Sequence, residues 1–206
     1  MHVRWRGLEL PASVILEENS ATDTFGRFIV EPFERGFGTT IGNSLRRILL
    51  STIEGSAITS IRVKGAEHEF CTIEGVKQDM VDIVLNVKGL IIDTDSDEPK
   101  VLRLSASGPG EVTADLIEAD ASVTVFNPDH VIATLTDTID FEMELTIERG
   151  RGYVPAAEQY ATKDEQVIGE LPVDAVYSPV QRVRYRVENT RVGQQTNFDR
   201  LILDIW

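Results

Sequence analysis

The sequence has almost no cysteine, since Cys71 is the only one among 206 residues. A single cysteine excludes an intrachain disulfide and any metal site built from several cysteines. Long apolar runs are missing as well: no stretch approaches the roughly 20 apolar residues that cross a membrane. Residues 1–16 also lack the continuous apolar core of a signal peptide. We therefore expect a soluble, cytoplasmic protein.

Basic residues are scarce, with 20 Lys and Arg against 34 Asp and Glu and a net charge of −14. Direct binding of nucleic acid needs clustered Lys and Arg to neutralise phosphates, so this balance argues against it. The net charge is −1 for residues 1–56, −15 for 57–175 and +2 for 176–206. This distribution predicts a near-neutral domain made of residues 1–54 and 176–206, with an acidic domain, residues 55–175, inserted between them.

Motifs for catalysis are absent from the sequence too. Gly36-Phe-Gly38 is too short for a phosphate-binding loop, and His2, His68 and His130 are scattered along the chain. We therefore expect no catalytic residue, no metal site and no cofactor. An enzyme with an unrecognised site among the carboxylates of residues 137–148 stays open as an alternative. A pocket that joins those carboxylates to a basic or metal centre would support it, whereas an exposed flat face would not.

The segment Phe37–Ile53 carries apolar residues at helical spacing and predicts one amphipathic helix. Its apolar stripe consists of Phe37, Ile41, Leu45, Ile48, Leu49, Thr52 and Ile53. The opposite side presents Asn43, Arg46, Arg47 and Leu50. Two different faces suggest two contacts, although spacing alone equally permits an ordinary surface helix with solvated arginines.

The ends of this helix and one glycine within it allow further expectations. Thr39 or Thr40 can cap the start, and Gly55 can end it. Gly42 lies at the edge of the stripe, where glycine costs about 1 kcal/mol relative to alanine. We expect another backbone to pack closely against it.

Strand patterns surround this helix and dominate the middle of the chain. Residues 28–33, 182–188 and 201–206 are strand-like and could pair in one antiparallel sheet against the stripe. In the middle, Val76 to Val87 keep helical spacing before Gly89, and residues 139–148 alternate between apolar and acidic side chains. Arg149–Tyr153 suggests a structured turn. The expected fold class is α+β, with an antiparallel sheet and amphipathic helix in one domain and a mostly β domain with one helix inserted.

The run Glu31–Ser51 closely resembles the signature of the bacterial RNA polymerase alpha subunit, N-terminal domain. Further matches follow in the family's order, and the resemblance covers roughly residues 25–206. They are His68–Phe70, Glu74–Val76, Asp82–Gly89, Glu148–Val154, Val173–Pro179, Val187–Val192 and Thr196–Leu201. The resemblance implies a discontinuous dimerisation domain with an inserted domain, and a noncatalytic platform that belongs to a nucleotidyltransferase only as part of the polymerase complex.

The same resemblance implies the partners and their contact residues. Two alpha subunits pair, the dimer recruits the beta and beta-prime subunits, and DNA is reached only through the whole complex. The stripe of Phe37, Ile41, Leu45, Ile48 and Leu49 is expected in the core and the dimer contact. The beta subunit is expected to meet Asn43, Arg46, Arg47 and Leu50, and further contacts with beta or beta-prime are expected at His68, Asp82, Lys88, Val173 and Ser178.

The chain departs from the family pattern at two places. Its first 25 or so residues match poorly, which leaves their role open. The family continues into a second dimerisation helix, a linker and a small DNA- and activator-binding domain, so we expect this chain to be a fragment. An unrelated homo-oligomeric scaffold that reuses the amphipathic helix is the other alternative, and capture of the beta subunit would distinguish the two.

Overall fold

The computed structural model describes residues 2–5, 8–118, 120–162 and 167–206. The helices in these residues are α1 (Phe37–Ser51), α2 (Met80–Lys88) and α3 (Ala156–Thr162). The strands are β1 (His2–Trp5), β2 (Leu8–Pro11), β3 (Val14–Leu16), β4 (Gly26–Phe33), β5 (Glu54–Val63), β6 (Ile92–Thr94), β7 (Lys100–Ser107), β8 (Gly110–Thr113), β9 (Val123–Val125), β10 (Val131–Leu135), β11 (Asp140–Arg151), β12 (Tyr153–Val154), β13 (Glu170–Pro172), β14 (Ala175–Val176), β15 (Val183–Val192) and β16 (Gln195–Ile205).

Antiparallel pairing joins all the paired strands, which together with the helices confirms the expected α+β class. The chain divides into two compact units. One contains the segment up to Ile53 together with Ser178–Trp206, and the other is Glu54–Tyr177. Within the part of the chain that is described, no helix is both long and apolar enough to cross a membrane.

The first unit contains a four-stranded sheet with the order β15-β16-β4-β3. The three strands expected from the sequence pair as predicted, with Val187 opposite Leu201 and Leu201 opposite Val30. Strand β3 was not expected, and it extends the sheet at the edge of β4. All three of its residues are exposed, so the apolar alternation that marks the other strands offers no signal there.

A hydrophobic cluster joins this sheet to helix α1. Its buried members are Val30, Phe33, Val183, Leu201 and Leu203, and the helix adds Ile41, Leu45, Leu49 and Leu50 to its edge. The helix contacts β15 and β16. The expected packing of an apolar helical stripe on this sheet is therefore confirmed for the part of the stripe that enters the cluster.

The second unit is built around a sheet with the order β13-β5-β11-β7. On β11 the alternation works as predicted, because Phe141, Met143, Leu145 and Ile147 are each at most 2% exposed. Helix α2 begins at Met80 rather than near Val76, since the Asp79 side chain caps it by accepting from the Asp82 backbone N–H at 2.8 Å. Gly89 follows its last residue, as expected.

The sequence predicted a turn at Arg149–Tyr153, and this prediction was wrong for Arg149–Arg151, which form the end of strand β11. Strand β11 continues to Arg151 and pairs with β5, where Arg151 lies opposite Glu54. Both Arg149 and Arg151 form ion pairs with the Glu54 carboxylate. The backbone reaches a positive φ of 68° only at Gly152. Cross-strand pairing of opposite charges thus extends the strand through a sequence that reads locally as a turn.

One ion-pair network in the first unit generates a pH-dependent prediction. The Glu31 carboxylate accepts from Arg200 Nε at 2.6 Å and from Thr190 Oγ1 at 2.7 Å. The hydrogen bond from Arg200 lowers the pKa of Glu31 below its ordinary value. A carboxyl with a lowered pKa stabilises the fold above its unfolded pKa and loses that contribution as the pH falls through the folded value.

We expect Glu31→Gln to lower the free energy of unfolding at pH 7 by about 1 kcal/mol. The difference from wild type should shrink below pH ~4.3, the ordinary pKa of glutamate. Urea unfolding followed by circular dichroism between pH 7 and pH 3 measures it. The exposed Glu98→Gln serves as control, and a difference that stays constant over this pH range would contradict the network's role.

Candidate subunit interface

The start of helix α1 is defined by a glycine in the left-handed conformation and by a carboxylate from a strand that is distant in the sequence. Gly36 precedes the helix with a φ of 87°. Asp199 of β16 accepts the backbone N–H of Gly36 at 2.8 Å and that of Gly38 at 3.1 Å. A carboxylate at this position satisfies unpaired N–H groups and complements the helix dipole. The helix start is therefore capped by the side chain of Asp199, which is 161 residues from Gly38 in the sequence, and not by a nearby threonine as expected.

The expected helix ends therefore need correction. Thr39 and Thr40 lie inside the first turn and are exposed, and Thr40 Oγ1 bonds back to the Gly36 carbonyl at 3.4 Å. At the other end the helix stops at Ser51, with Thr52 as its cap. Gly55 belongs to strand β5 and takes no part in ending the helix.

Gly38 and Gly42 form the contact line between α1 and the sheet. Both are buried. A Cβ at Gly42 would lie 2.7 Å from Tyr185 Cδ2 and 2.8 Å from Leu201 Cδ1, and one at Gly38 would lie 3.0 Å from the Asp199 Cβ. The close approach expected at Gly42 exists, but it is made by side chains of β15 and β16 rather than by a backbone.

This contact line divides the predicted stripe into two parts. Ile41, Leu45 and Leu49 are half-buried against the sheet, whereas Phe37 is 46% exposed and Ile48 is 52% exposed. Phe37 and Ile48 lie roughly 100° around the helix from the two glycines. The helix sits with its small residues toward the sheet, so the larger side chains at one side of the stripe remain in solvent.

The opposite side of α1 is polar with one exception. Asn43, Arg46 and Arg47 are exposed, and the two arginines form no ion pair with any residue that the structure describes. Leu50 was expected among them as an exposed anchor. It is half-buried and packs against the hydrophobic cluster of the first unit, which corrects that expectation.

The remaining predicted contact residues lie in different surroundings. His68 and Asp82 are exposed, in a loop and in the first turn of α2. Ser178 is half-buried and its hydroxyl donates to the Val180 carbonyl at 3.1 Å. Val173 is only 1% exposed and belongs to the core of the second unit. Its side chain therefore cannot contact a partner, which corrects that expectation.

Lys88 is engaged within the second unit. Its ammonium donates to Asp174 Oδ2 at 2.8 Å, and Asp174 Oδ1 accepts the Ala156 backbone N–H at 2.9 Å. These bonds, with the one from Ala156 first in importance, lower the pKa of Asp174. Lys88 thus helps to fix the segment that leads into α3 as well as lying at the surface.

Sequence reasoning did not identify two strongly exposed apolar side chains. Phe70 is 78% exposed and Ile168 is 91% exposed. They line the same shallow groove, of about 510 Å³, together with His68. Phe70 lies in a matched family motif, but Ile168 belongs to a short segment, Val167-Ile168-Gly169, that gives no periodic signal.

Two carboxylates of β11, those of Glu142 and Glu144, line a groove of about 700 Å³ on the second unit. Glu142 pairs with Lys64 at 2.9 Å, and Glu144 pairs with Arg62 and Arg103, each at 3.5 Å. The groove does join carboxylates to basic groups, as the enzyme alternative requires. All these groups are substantially exposed, and solvated ion pairs are the ordinary charge balance of a sheet face. Among the described residues, no three His, Cys, Asp or Glu side chains are grouped to hold a metal ion.

Comparison with known proteins gives concordant matches. Residues 60–178 match the family described as RNA polymerase Rpb3/RpoA insert domain. The chain is similar to proteins named DNA-directed RNA polymerase subunit alpha from three organisms. Identity is 54% over 206 residues with that of Rhodopirellula baltica, 49% over 185 with that of Limosilactobacillus reuteri and 52% over 202 with that of Symbiobacterium thermophilum.

These alignments include 100%, 90% and 97% of this chain. They include 62%, 59% and 62% of the respective relatives. The chain therefore spans about three fifths of the length of the curated relatives that it matches.

Because Gly42 packs closely against the sheet, we expect its replacement by alanine to destabilise the protein, although the same change usually stabilises a helix. In a solvated helix, Gly42→Ala would stabilise by about 1 kcal/mol. Here the added methyl would overlap Tyr185 and Leu201, so we expect a net destabilisation of about 1–3 kcal/mol in urea unfolding. Ser44→Ala, at an exposed position of the same helix, should be nearly neutral. A Gly42→Ala protein as stable as wild type would disprove the close seating of α1.

Proposed function

The chain belongs to the family of the DNA-directed RNA polymerase alpha subunit, and on this premise we propose that it is a noncatalytic assembly subunit of that polymerase. Nucleotidyl transfer then belongs to the complex, and the chain supplies a platform for other subunits. It meets DNA only through the complex, and its compartment is the cytoplasm. No cofactor is needed for such a role.

The two-sided exposure of helix α1 is the observation that best supports this proposal. One side holds the helix on its own sheet through Gly38, Gly42 and Leu45. Away from that contact, the helix leaves in solvent both an apolar edge and two arginines that form no ion pair with any described residue. A single helix that presents two chemically different surfaces can serve two different partners.

The apolar edge suits pairing with a second alpha subunit. Phe37 and Ile48 are large, exposed and on the same side of α1. The half-buried Ile41 and Leu45 lie between them along the helix, and an exposed apolar edge of this kind is typical of protein interfaces. In this proposal the discontinuous first unit is the dimerisation domain, and Glu54–Tyr177 is the inserted domain.

The polar side suits the beta subunit. Asn43, Arg46 and Arg47 are exposed there, and arginine is enriched among residues that dominate interface energy. Leu50 contributes only its half-buried outer edge. On the inserted domain, His68 and Asp82 remain exposed candidates for contact with beta or beta-prime, and Lys88 and Ser178 are partly available.

Mutations on the two sides of α1 should have different effects, one on binding of the beta subunit and the other on the stability of the fold. Arg47→Ala removes an exposed guanidinium that has no ion-pair partner in the described part of the chain, so the unfolding free energy should change little. If Arg47 is an interface hot spot, its loss costs about 2 kcal/mol, which is roughly a thirtyfold weaker affinity for the beta subunit. Leu45→Ala should instead lower the stability by about 1–3 kcal/mol, since Leu45 is half-buried.

Melting temperature and capture of purified beta subunit, measured per folded chain, distinguish the two effects. Arg103→Ala is the matched control, because Arg103 is an exposed arginine of the inserted domain, with a 71% exposed side chain. It should leave both quantities unchanged. If Arg47→Ala destabilises as much as Leu45→Ala while beta capture stays normal, the assignment of the two sides is wrong.

A further inference from the structure

The face of the first sheet opposite α1 carries a column of arginines. Tyr185 and Val187 of β15 belong to the cluster under the helix. Successive side chains of a strand point to opposite faces, so Arg184 and Arg186 lie on the other face, and both are exposed. Arg182, one step before the strand, continues the series with the same two-residue spacing. We call these three residues the arginine column.

The neighbouring strand leaves the column largely without counter-charges. Arg184 is opposite Asp204, but the Asp204 carboxylate already accepts from Arg27 Nε at 2.6 Å. Arg186 is opposite the apolar Ile202. Its ion pair with Glu188, at 3.5 Å, joins two side chains that are nearly half exposed, a geometry that contributes little.

At the first position of the column the guanidinium is held by an aromatic ring. Arg182 Cζ lies 3.7 Å from the centroid of the Trp206 ring. Such a cation–π contact orients the side chain while its N–H donors can still bind an anion. The column thus begins with an oriented donor and continues with two solvent-facing ones.

The strand that carries the column is also at an edge of its sheet. Strand β15 pairs only with β16 in the sheet order, so its other side has no strand neighbour within the described residues. An exposed edge offers unpaired N–H and C=O groups to an added strand. Side chains of the added strand on one face repeat every two residues, about 6.8 Å apart, which matches the spacing of the column.

From this combination we propose that β15 binds an extended acidic polypeptide segment of another protein by strand addition. The partner's backbone pairs with the free edge, and carboxylates at alternate positions meet Arg182, Arg184 and Arg186. This site lies on the sheet face opposite α1, so it is separate from the contacts proposed above. A peptide fits better than a nucleic acid, because only a peptide has the backbone N–H and C=O groups that can complete the ladder at the free edge of β15.

A fluorescein-labelled peptide with the sequence Thr-Glu-Val-Glu-Val-Glu-Thr tests the charge complementarity. Anisotropy titration with the 206-residue chain at 150 mM NaCl should show saturable binding. The double variant Arg184→Glu and Arg186→Glu should weaken it by at least about tenfold. Arg103→Glu, on an edge strand of the other unit, should bind like wild type, and a peptide with Lys for Glu should not bind. Should the charge reversal unfold the chain, Arg184→Gln with Arg186→Gln replaces it.

Strand addition also predicts that only alternate residues of the peptide direct their backbone N–H groups toward β15. Two peptides N-methylated on alternate sets of residues should therefore differ: one should lose binding and the other retain it. Equal binding by both would reveal a purely electrostatic contact and overturn the proposal. Absence of binding by the acidic peptide, or equally tight binding of an oligothymidylate with the same charge, would overturn it as well.

Discussion

The seating of helix α1 on strands β15 and β16 is the constraint on which the rest of the first unit depends. Gly38 and Gly42 allow the helix to approach until neighbouring side chains leave no room for a methyl group. Asp199 fixes the helix start by accepting two backbone N–H groups. Close approach and a fixed end together set the rotation of the helix about its axis, and that rotation decides which side chains face solvent.

The surface chemistry of the chain follows from how its charges are paired. In the second unit, the carboxylates of Glu142 and Glu144 on β11 are balanced by Arg62 and Arg103 on neighbouring strands and by Lys64, which directly follows β5. The first unit has a different balance: Arg46 and Arg47 on the helix, and Arg184 on the sheet, have no ion pair with any described residue. A chain with a large net negative charge thus concentrates its available positive charge on two separate surfaces of one unit. Charge that is already paired contributes little to recognition, whereas unpaired arginines are available to partners.

Regular elements were predictable where apolar residues repeat with one clear period. The alternation along β11 and the helical spacing of α1 both gave the correct element, because burial on one side selects that period. Strand β3 was not predicted, since its three residues are exposed and it is stabilised by pairing with β4. The segment Arg149–Arg151 was misread for a related reason: its strand conformation depends on Glu54, 95 residues earlier than Arg149 in the chain.

By itself, the sequence determined the family, the α+β class, and the identity of the helix that carries the polar and apolar surfaces. Only the tertiary structure decided how that helix is rotated, which exposes Phe37 and Ile48 and partly buries Leu50. It also placed Val173 in the core rather than at the surface. The physical reason is that periodicity reports the distribution of apolar side chains around an element, whereas the contact line is set by shape, and here by two glycines whose missing side chains carry no hydrophobic signal.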